Sequence, residues 1–245
     1  MPLLLMAALA AGCASAVVPP IGGGGLPFEP AIEERALWIR AAKEAETFAS
    51  ASRIYREAAL DAYLTGVATR LVPPEARAAG LPPIRVSVLR DPAVNAFALP
   101  DGAIFVSTGL LARLDGEAQL AMILAREIAH VTHRHAFRAS AHAPGGAPPP
   151  QPLPGEAHHA FLGRGLPISY QAAVEGFGRA LDREADRVAM ERLAAAGYDP
   201  REAPRAFERL APAPGDATSV ERFFLGRHDR LADRVATTRA WLRSR

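Results

Sequence analysis

Residues 124–138 read Leu-Ala-Arg-Glu-Ile-Ala-His-Val-Thr-His-Arg-His-Ala-Phe-Arg. Leu120, Ile123, Ile128 and Val131 share one broad apolar side, so the spacing predicts a long helix over about 117–138. On that helix the stretch nearly spells His-Glu-x-x-His. That pattern sets two imidazoles one helical turn apart to hold zinc, with a glutamate beside the first to polarise water. Glu127 and His130 stand in the expected places, but the first position is Arg126. Arginine stays protonated and has no lone pair to give a metal. The sequence therefore carries a metallopeptidase helix with its first ligand replaced.

Such a site needs a third ligand from another element. Residues 182–186 read Asp-Arg-Glu-Ala-Asp on a second predicted helix, about 169–195. Asp182 and Asp186 fall four apart, on one helical face. Asp182 is placed to ligate, and Asp186 to orient an imidazole from behind. Alone, such a pair reads as a solvated face. Beside Glu-x-x-His, and ahead of Ala-Gly-Tyr-Asp-Pro at 196–200, it reads as part of the site.

The remaining elements follow from the same patterning. Residues 31–49 and 54–71 read as two helices, the second ended by Pro73 and Pro74. Residues 84–89 alternate as a strand does, and 95–99 with 103–106 read as a hairpin turning at Pro100-Asp101-Gly102. A helix starts at Ser107-Thr108, and shorter helices are expected at about 201–211 and 230–243. A Pro- and Gly-rich stretch at about 140–155 reads as a mobile loop. The expected fold class is α+β, mainly helical, with a small sheet beside the active-site helix.

The chain has 245 residues, 49% of them hydrophobic, and a formal net charge of +2. That suits one sizeable core. Basic residues are dispersed and no nucleic-acid signature appears, so nucleic acid is not an expected partner. The lone cysteine, Cys13, allows no intrachain disulfide. It follows a short apolar run and the small residues Ala10-Ala11-Gly12. The run is too short to span a bilayer, which takes about 20 residues. Residues 1–12 read as a signal peptide, with Cys13 as the lipidated residue of a bacterial lipoprotein. Residues 13–30, with Pro19-Pro20 and Gly22 to Gly25, read as a flexible tether ahead of a domain over 31–245.

The run Asn-Ala-Phe-Ala-Leu-Pro-Asp-Gly-x-Ile-Phe-Val-Ser-Thr-Gly-Leu-Leu at 95–111, with the two helical motifs and with His228 and Arg234 six apart, resembles one known family. These are the membrane-associated zinc metallopeptidases of CAAX prenyl protease, HtpX and BepA type, and most of all their soluble periplasmic branch. The resemblance covers roughly residues 32–244. It implies a zincin-like fold. It also implies zinc ligands at positions 126, 130 and 182, Glu127 as general base, and Asp186 and Arg234 behind the ligands. His228 matches a histidine that can fill the open zinc position. Asn95, Ala96, Phe97, Ala98 and Leu99 match the edge strand that pairs with substrate backbone.

Two ligand positions depart from that pattern: Arg126 stands for His and Asp182 for Glu. A guanidinium about 4 Å from Zn²⁺ would be repelled by about 8 kcal/mol at an effective dielectric of about 20. One expectation follows directly: Arg126 pairs with Asp182, and with Glu127, where the metal would sit. The expected function is a degenerate, inactive or impaired member that binds polypeptide as a chaperone or scaffold. The rival reading is an active zinc endopeptidase ligated by His130, Asp182 and His228 or His133, with Glu127 activating water. A third is a structural lipoprotein with no cleft function. His133, His135, His158 and His159 are the histidines that could stand in for the missing ligand, with His135 pointing elsewhere on a regular helix. The site is expected in the periplasm, held to the outer membrane by the lipid.

Overall fold

The computed structural model describes residues 18–23, 27–50, 54–141, 168, 176–211 and 228–245. The long apolar run Ala103–Ser107 forms a strand, β4, buried at every position. A continuous apolar strand is what a central position covered on both faces requires. Three further strands flank it: β1 (Ile54–Tyr55), β2 (Arg85–Leu89) and β3 (Ala96–Ala98), in the order β1-β2-β4-β3. β2 runs parallel to β4, whereas β1 is antiparallel to β2 and β3 is antiparallel to β4. The expected hairpin is present, pairing Ala96 with Val106 and Ala98 with Ile104. Its turn closes through Gly102 N–H to Leu99 O at 3.0 Å. Gly102 sits at φ +87°, and a Cβ there would lie 2.6 Å from the Pro83 carbonyl oxygen, so only glycine fits.

Ser107 joins sheet to helix. Its hydroxyl caps α4 (Thr108–Leu111) by accepting from Leu110 N–H, accepts from Asn95 N–H, and donates to Ala93 O at 2.5 Å. The chain at 91–95 then crosses so close to α4 that a Cβ on Gly109 would lie 2.0 Å from the Pro92 carbonyl oxygen. Gly109→Ala is expected to cost about 1–3 kcal/mol by overpacking, read as a lower urea midpoint. An unchanged midpoint would mean the crossing is looser than this.

Besides α4, the helices among the described residues are α1 (Ile32–Ser50), α2 (Ala58–Leu71), α3 (Pro74–Ala78), α5 (Glu117–Thr132), α6 (His135–Ala141), α7 (Arg179–Ala195), α8 (Glu202–Leu210) and α9 (His228–Arg243). Residues 54–71 are thus not one helix, since a two-residue strand precedes α2. Pro74 ends nothing; it sits at the first position of α3, where its missing N–H is harmless. The Pro-rich stretch, and most of the helical stretch expected before residue 179, lie outside the described residues. α5 is the central helix. It packs most extensively on α7 and also on α8, α2 and β3, and Leu120 to Ala125 are all buried.

The expected helix over 117–138 is broken. Arg134 takes the left-handed conformation, φ 57°, directly after the last turn of α5. That residue closes α5 as a left-handed cap does, with its N–H on Val131 O, and starts α6 in a new direction. Its side chain explains why a non-glycine holds this position. The guanidinium forms a two-point ion pair with Glu34 of α1 at 2.9 and 2.5 Å and lies over the rings of Phe28 and Phe137.

Several described residues of the stretch expected as a tether lie against the domain. Ile21 is 3% exposed and donates its N–H to Thr132 O at 2.8 Å. Pro19 O accepts from Arg134, and Phe28 N–H bonds to Ala79 O. The first two bonds hold the segment against the far end of α5 and the third against the end of α3, which the Gly/Pro content of the sequence hides. No helix among the described residues is long and apolar enough to cross a membrane.

Candidate functional site

Arg126 lies on the side of α5 that faces α7, because positions 126 and 130 are one turn apart. Its guanidinium meets three carboxylates. Nη1 donates to Glu127 Oε1 at 2.5 Å, Nη2 to Asp182 Oδ1 at 3.0 Å, and Nε to Asp186 Oδ1 at 3.2 Å. The side chain is 12% exposed and its three partners less than 10%. Two of these contacts match the expectation. The third, to Asp186, was not expected and makes the guanidinium a three-way clamp between α5 and α7.

His130 completes the inner wall. Its Nε2 lies 3.7 Å from Asp182 Oδ1, the same oxygen that accepts from Arg126. Its Nδ1 lies 2.8 Å from His135 Nδ1, and the ring packs against Phe177 at 4.9 Å between centroids. His135 therefore does not point elsewhere. The break at Arg134 turns it back beside His130, where it is fully buried and its Nε2 has no hydrogen-bond partner among the described residues. No sequence signal marks an arginine for a left-handed conformation, so this contact was illegible beforehand. His133 bonds through Nδ1 to Thr132 Oγ1 at 3.1 Å and faces His135, not the clamp.

On the other side, Arg234 of α9 places its Nε 3.6 Å from Asp186 Oδ2. Asp186 thus lies between two guanidiniums, one from α5 and one from α9. His228 is the first residue of α9, but its side chain lies outside the described residues, as do His158, His159 and Cys13. The 95–99 segment flanks α5 as the outermost strand beyond β4. Asn95, Phe97, Ala98 and Leu99 are buried, and Ala96 is partly exposed.

Burial sets the protonation of this cluster. It raises the Glu127 carboxyl above its ordinary value, against the pull of Arg126. It raises Asp186 likewise, against Arg234 and Arg126. It holds His130 well below the ordinary histidine range, helped by the Arg126 charge, so the imidazole is neutral at pH 7. His135 is pushed down to about 3, again chiefly by burial. For Arg126 burial works against the charge, but Glu127, Asp182 and Asp186 outweigh it and the guanidinium stays protonated. Two guanidiniums face three carboxylates, so the fully ionised cluster carries one surplus negative charge. A proton on either Glu127 or Asp186 would remove it.

A zinc ion does not fit these residues as they stand. His130 Nε2 and Asp182 Oδ1 are close enough to share an ion, since zinc takes both at about 2.0–2.2 Å. The remaining corner is filled by a cation with no lone pair, and that cation already occupies the ligating oxygen of Asp182. Among the described residues no group of three His, Cys, Asp or Glu side chains is disposed to hold a metal.

An amphipathic helix bearing Glu-x-x-His, a facing helix bearing paired carboxylates, and a small mixed sheet along the first helix define a zincin-like peptidase scaffold. The chain carries a Peptidase family M48 domain, with that family's model matching residues 54–149. Over 161 residues it is 32% identical to the mitochondrial metalloendopeptidase OMA1 of Schizosaccharomyces pombe, covering 63% of this chain and 45% of that protein. It is 30% identical over 139 residues to the beta-barrel assembly-enhancing protease of Escherichia coli, covering 52% of this chain and 28% of that one. A 60-residue stretch is 50% identical to a protease HtpX homolog of Acidiphilium cryptum, 23% of this chain and 21% of that protein. The chain spans less than half the length of each of these relatives.

Proposed function

We propose that this chain is a peptidase-family protein whose zinc has been replaced by a fixed guanidinium, and that it binds polypeptide rather than cutting it. The observation that carries this reading is Arg126, ion-paired with Glu127, Asp182 and Asp186 where a first zinc ligand belongs. Glu127 is the residue that would activate water. Here it accepts the Arg126 Nη1–H, so one of its oxygens is held by a neighbour. The polypeptide role is supported by β3, the outermost strand among the described residues, since peptides pair with the backbone of such edge strands. The name of the beta-barrel assembly-enhancing relative supports work in envelope quality control. A lipidated Cys13 would hold the domain at the outer membrane from the periplasmic side, with the membrane as its second partner.

The test is metal analysis of the purified chain together with digestion of an unfolded protein, with and without chelator. The expected result is substoichiometric zinc, no chelator-sensitive cleavage, and retention of the unfolded protein. One tightly held zinc per chain with chelator-sensitive cleavage would instead establish an active endopeptidase with His130, Asp182 and His228 or His133 as ligands. Neither metal nor polypeptide binding would leave a purely structural lipoprotein.

A further inference from the structure

Arg234 is buried but poorly matched. Its side chain is 19% exposed, its contact with Asp186 is 3.6 Å, longer than a hydrogen bond, and it lies over the Phe207 ring at 5.6 Å. Among the described residues none of its five N–H donors makes a hydrogen bond, though a guanidinium in such a place ordinarily makes several. Asp186 cannot serve it better, because its other oxygen is taken by Arg126. Arg234 borders a cavity of about 330 Å³ between α7 and α9, open to solvent. The cavity is also lined by Asp182, Arg183, Asp233 and Thr237. Asp182 and Asp186 each accept from Arg126, and Asp233 has Arg183 at 3.8 Å, a contact as long as that of Arg234. What Arg234 lacks is therefore a second acceptor, and Arg179 and Arg183 line the same pocket.

We infer that the cavity between α7 and α9 is a carboxylate subsite, in which Arg234 takes the terminal carboxylate of a bound polypeptide by two parallel N–H to oxygen bonds. The planar fork of a guanidinium matches a carboxylate in this way, and burial strengthens the pair. The pocket is shallow and open to solvent, so it has room for a chain end but not for a passing loop. Asp182 and Asp186 bias the site against phosphate-like multiple charge, since they line the same wall. This subsite rests on the reading of the chain as a polypeptide binder and names what part of the polypeptide the helical side of the cleft takes.

Three labelled versions of one unfolded peptide test it on the full chain. One has a free C-terminal carboxylate, one is C-terminally amidated, and one is amidated but carries a single internal Glu. The free-carboxylate peptide is expected to bind about tenfold or more tighter than the amidated one. The internal-Glu peptide should resemble the amidated one; if it matches the free carboxylate, the subsite takes acidic side chains and the terminal assignment is overturned. Arg234→Gln should erase the preference while leaving residual binding to the strand edge. Should that variant fail to fold, Thr237→Trp fills the cavity from its wall without removing a charge, and should erase the preference too. A preference that survives in folded Thr237→Trp overturns the subsite. Equal binding of all three peptides to the native chain overturns it while leaving polypeptide binding intact. No binding of any peptide removes both.

Discussion

Replacing Arg126 by Leu is expected to destabilise the fold by about 3–5 kcal/mol at neutral pH, the usual cost of removing one partner from a buried ion pair. The variant leaves Glu127, Asp182 and Asp186 facing one another with no cation among them except the distant edge of Arg234. Three carboxylates cannot stay ionised together in such a place. The sign of the pH dependence follows. Burial raises Glu127 and Asp186 above their unfolded values of 4.5 and 3.8, so the folded state binds protons more tightly than the unfolded one. Stability from these groups is complete below those unfolded values and is lost as pH rises through the folded ones. Without Arg126 the folded values rise further, so the loss extends to higher pH. Urea unfolding should therefore show the deficit of Arg126→Leu shrinking as pH falls from 8 towards 5. Equal stability of native and variant chains at pH 8 would mean the guanidinium clamp holds nothing together.

The double substitution Arg126→His with Asp182→Glu is expected to give the largest gain. It removes the cation, restores the second imidazole one turn from His130, and lengthens the third ligand by one methylene. The variant should bind zinc stoichiometrically, and the metal should raise its stability. At zinc a thousandfold above its dissociation constant the gain is about 4 kcal/mol. Chelator should reverse it, and the native chain should show neither effect. Proteolysis of an unfolded substrate by the variant would show in addition that Glu127 and the cleft are intact. A variant that folds but ignores zinc would mean that the two helices have moved as well as their side chains.

Local patterns were legible wherever the information lies within one element. The turn at Pro100-Asp101-Gly102, the carboxylates of α7 and the end of α2 before Pro73 follow from backbone chemistry that a few neighbours decide. The pairing of Arg126 with Asp182 and Glu127 followed from the joint change at two positions of one motif set. Three things did not follow. The helix after Thr132 was overextended, because nothing in His-Arg-His announces that Arg134 turns left-handed; the Glu34 pair and two aromatic rings hold it there, and Glu34 is 100 residues away. The segment at 18–23 read as loose because Pro and Gly dominate it, whereas Ile21 supplies the anchor. The place of β2 beside β4, with β3 outside, depends on a crossover that strand patterns do not encode.

By itself, then, the sequence determined the scaffold, the two facing helices and a residue at 126 that cannot ligate a metal, since a residue's ability to donate a lone pair is fixed by its identity. Only the tertiary structure decided what that residue does instead. The guanidinium reaches Asp186 as well as Asp182 and Glu127. That leaves Arg234 with a long, half-made contact at the edge of a cavity. Which of several carboxylates a buried cation takes depends on ångström-scale distances between helices, and those are set by packing rather than by spacing along the chain.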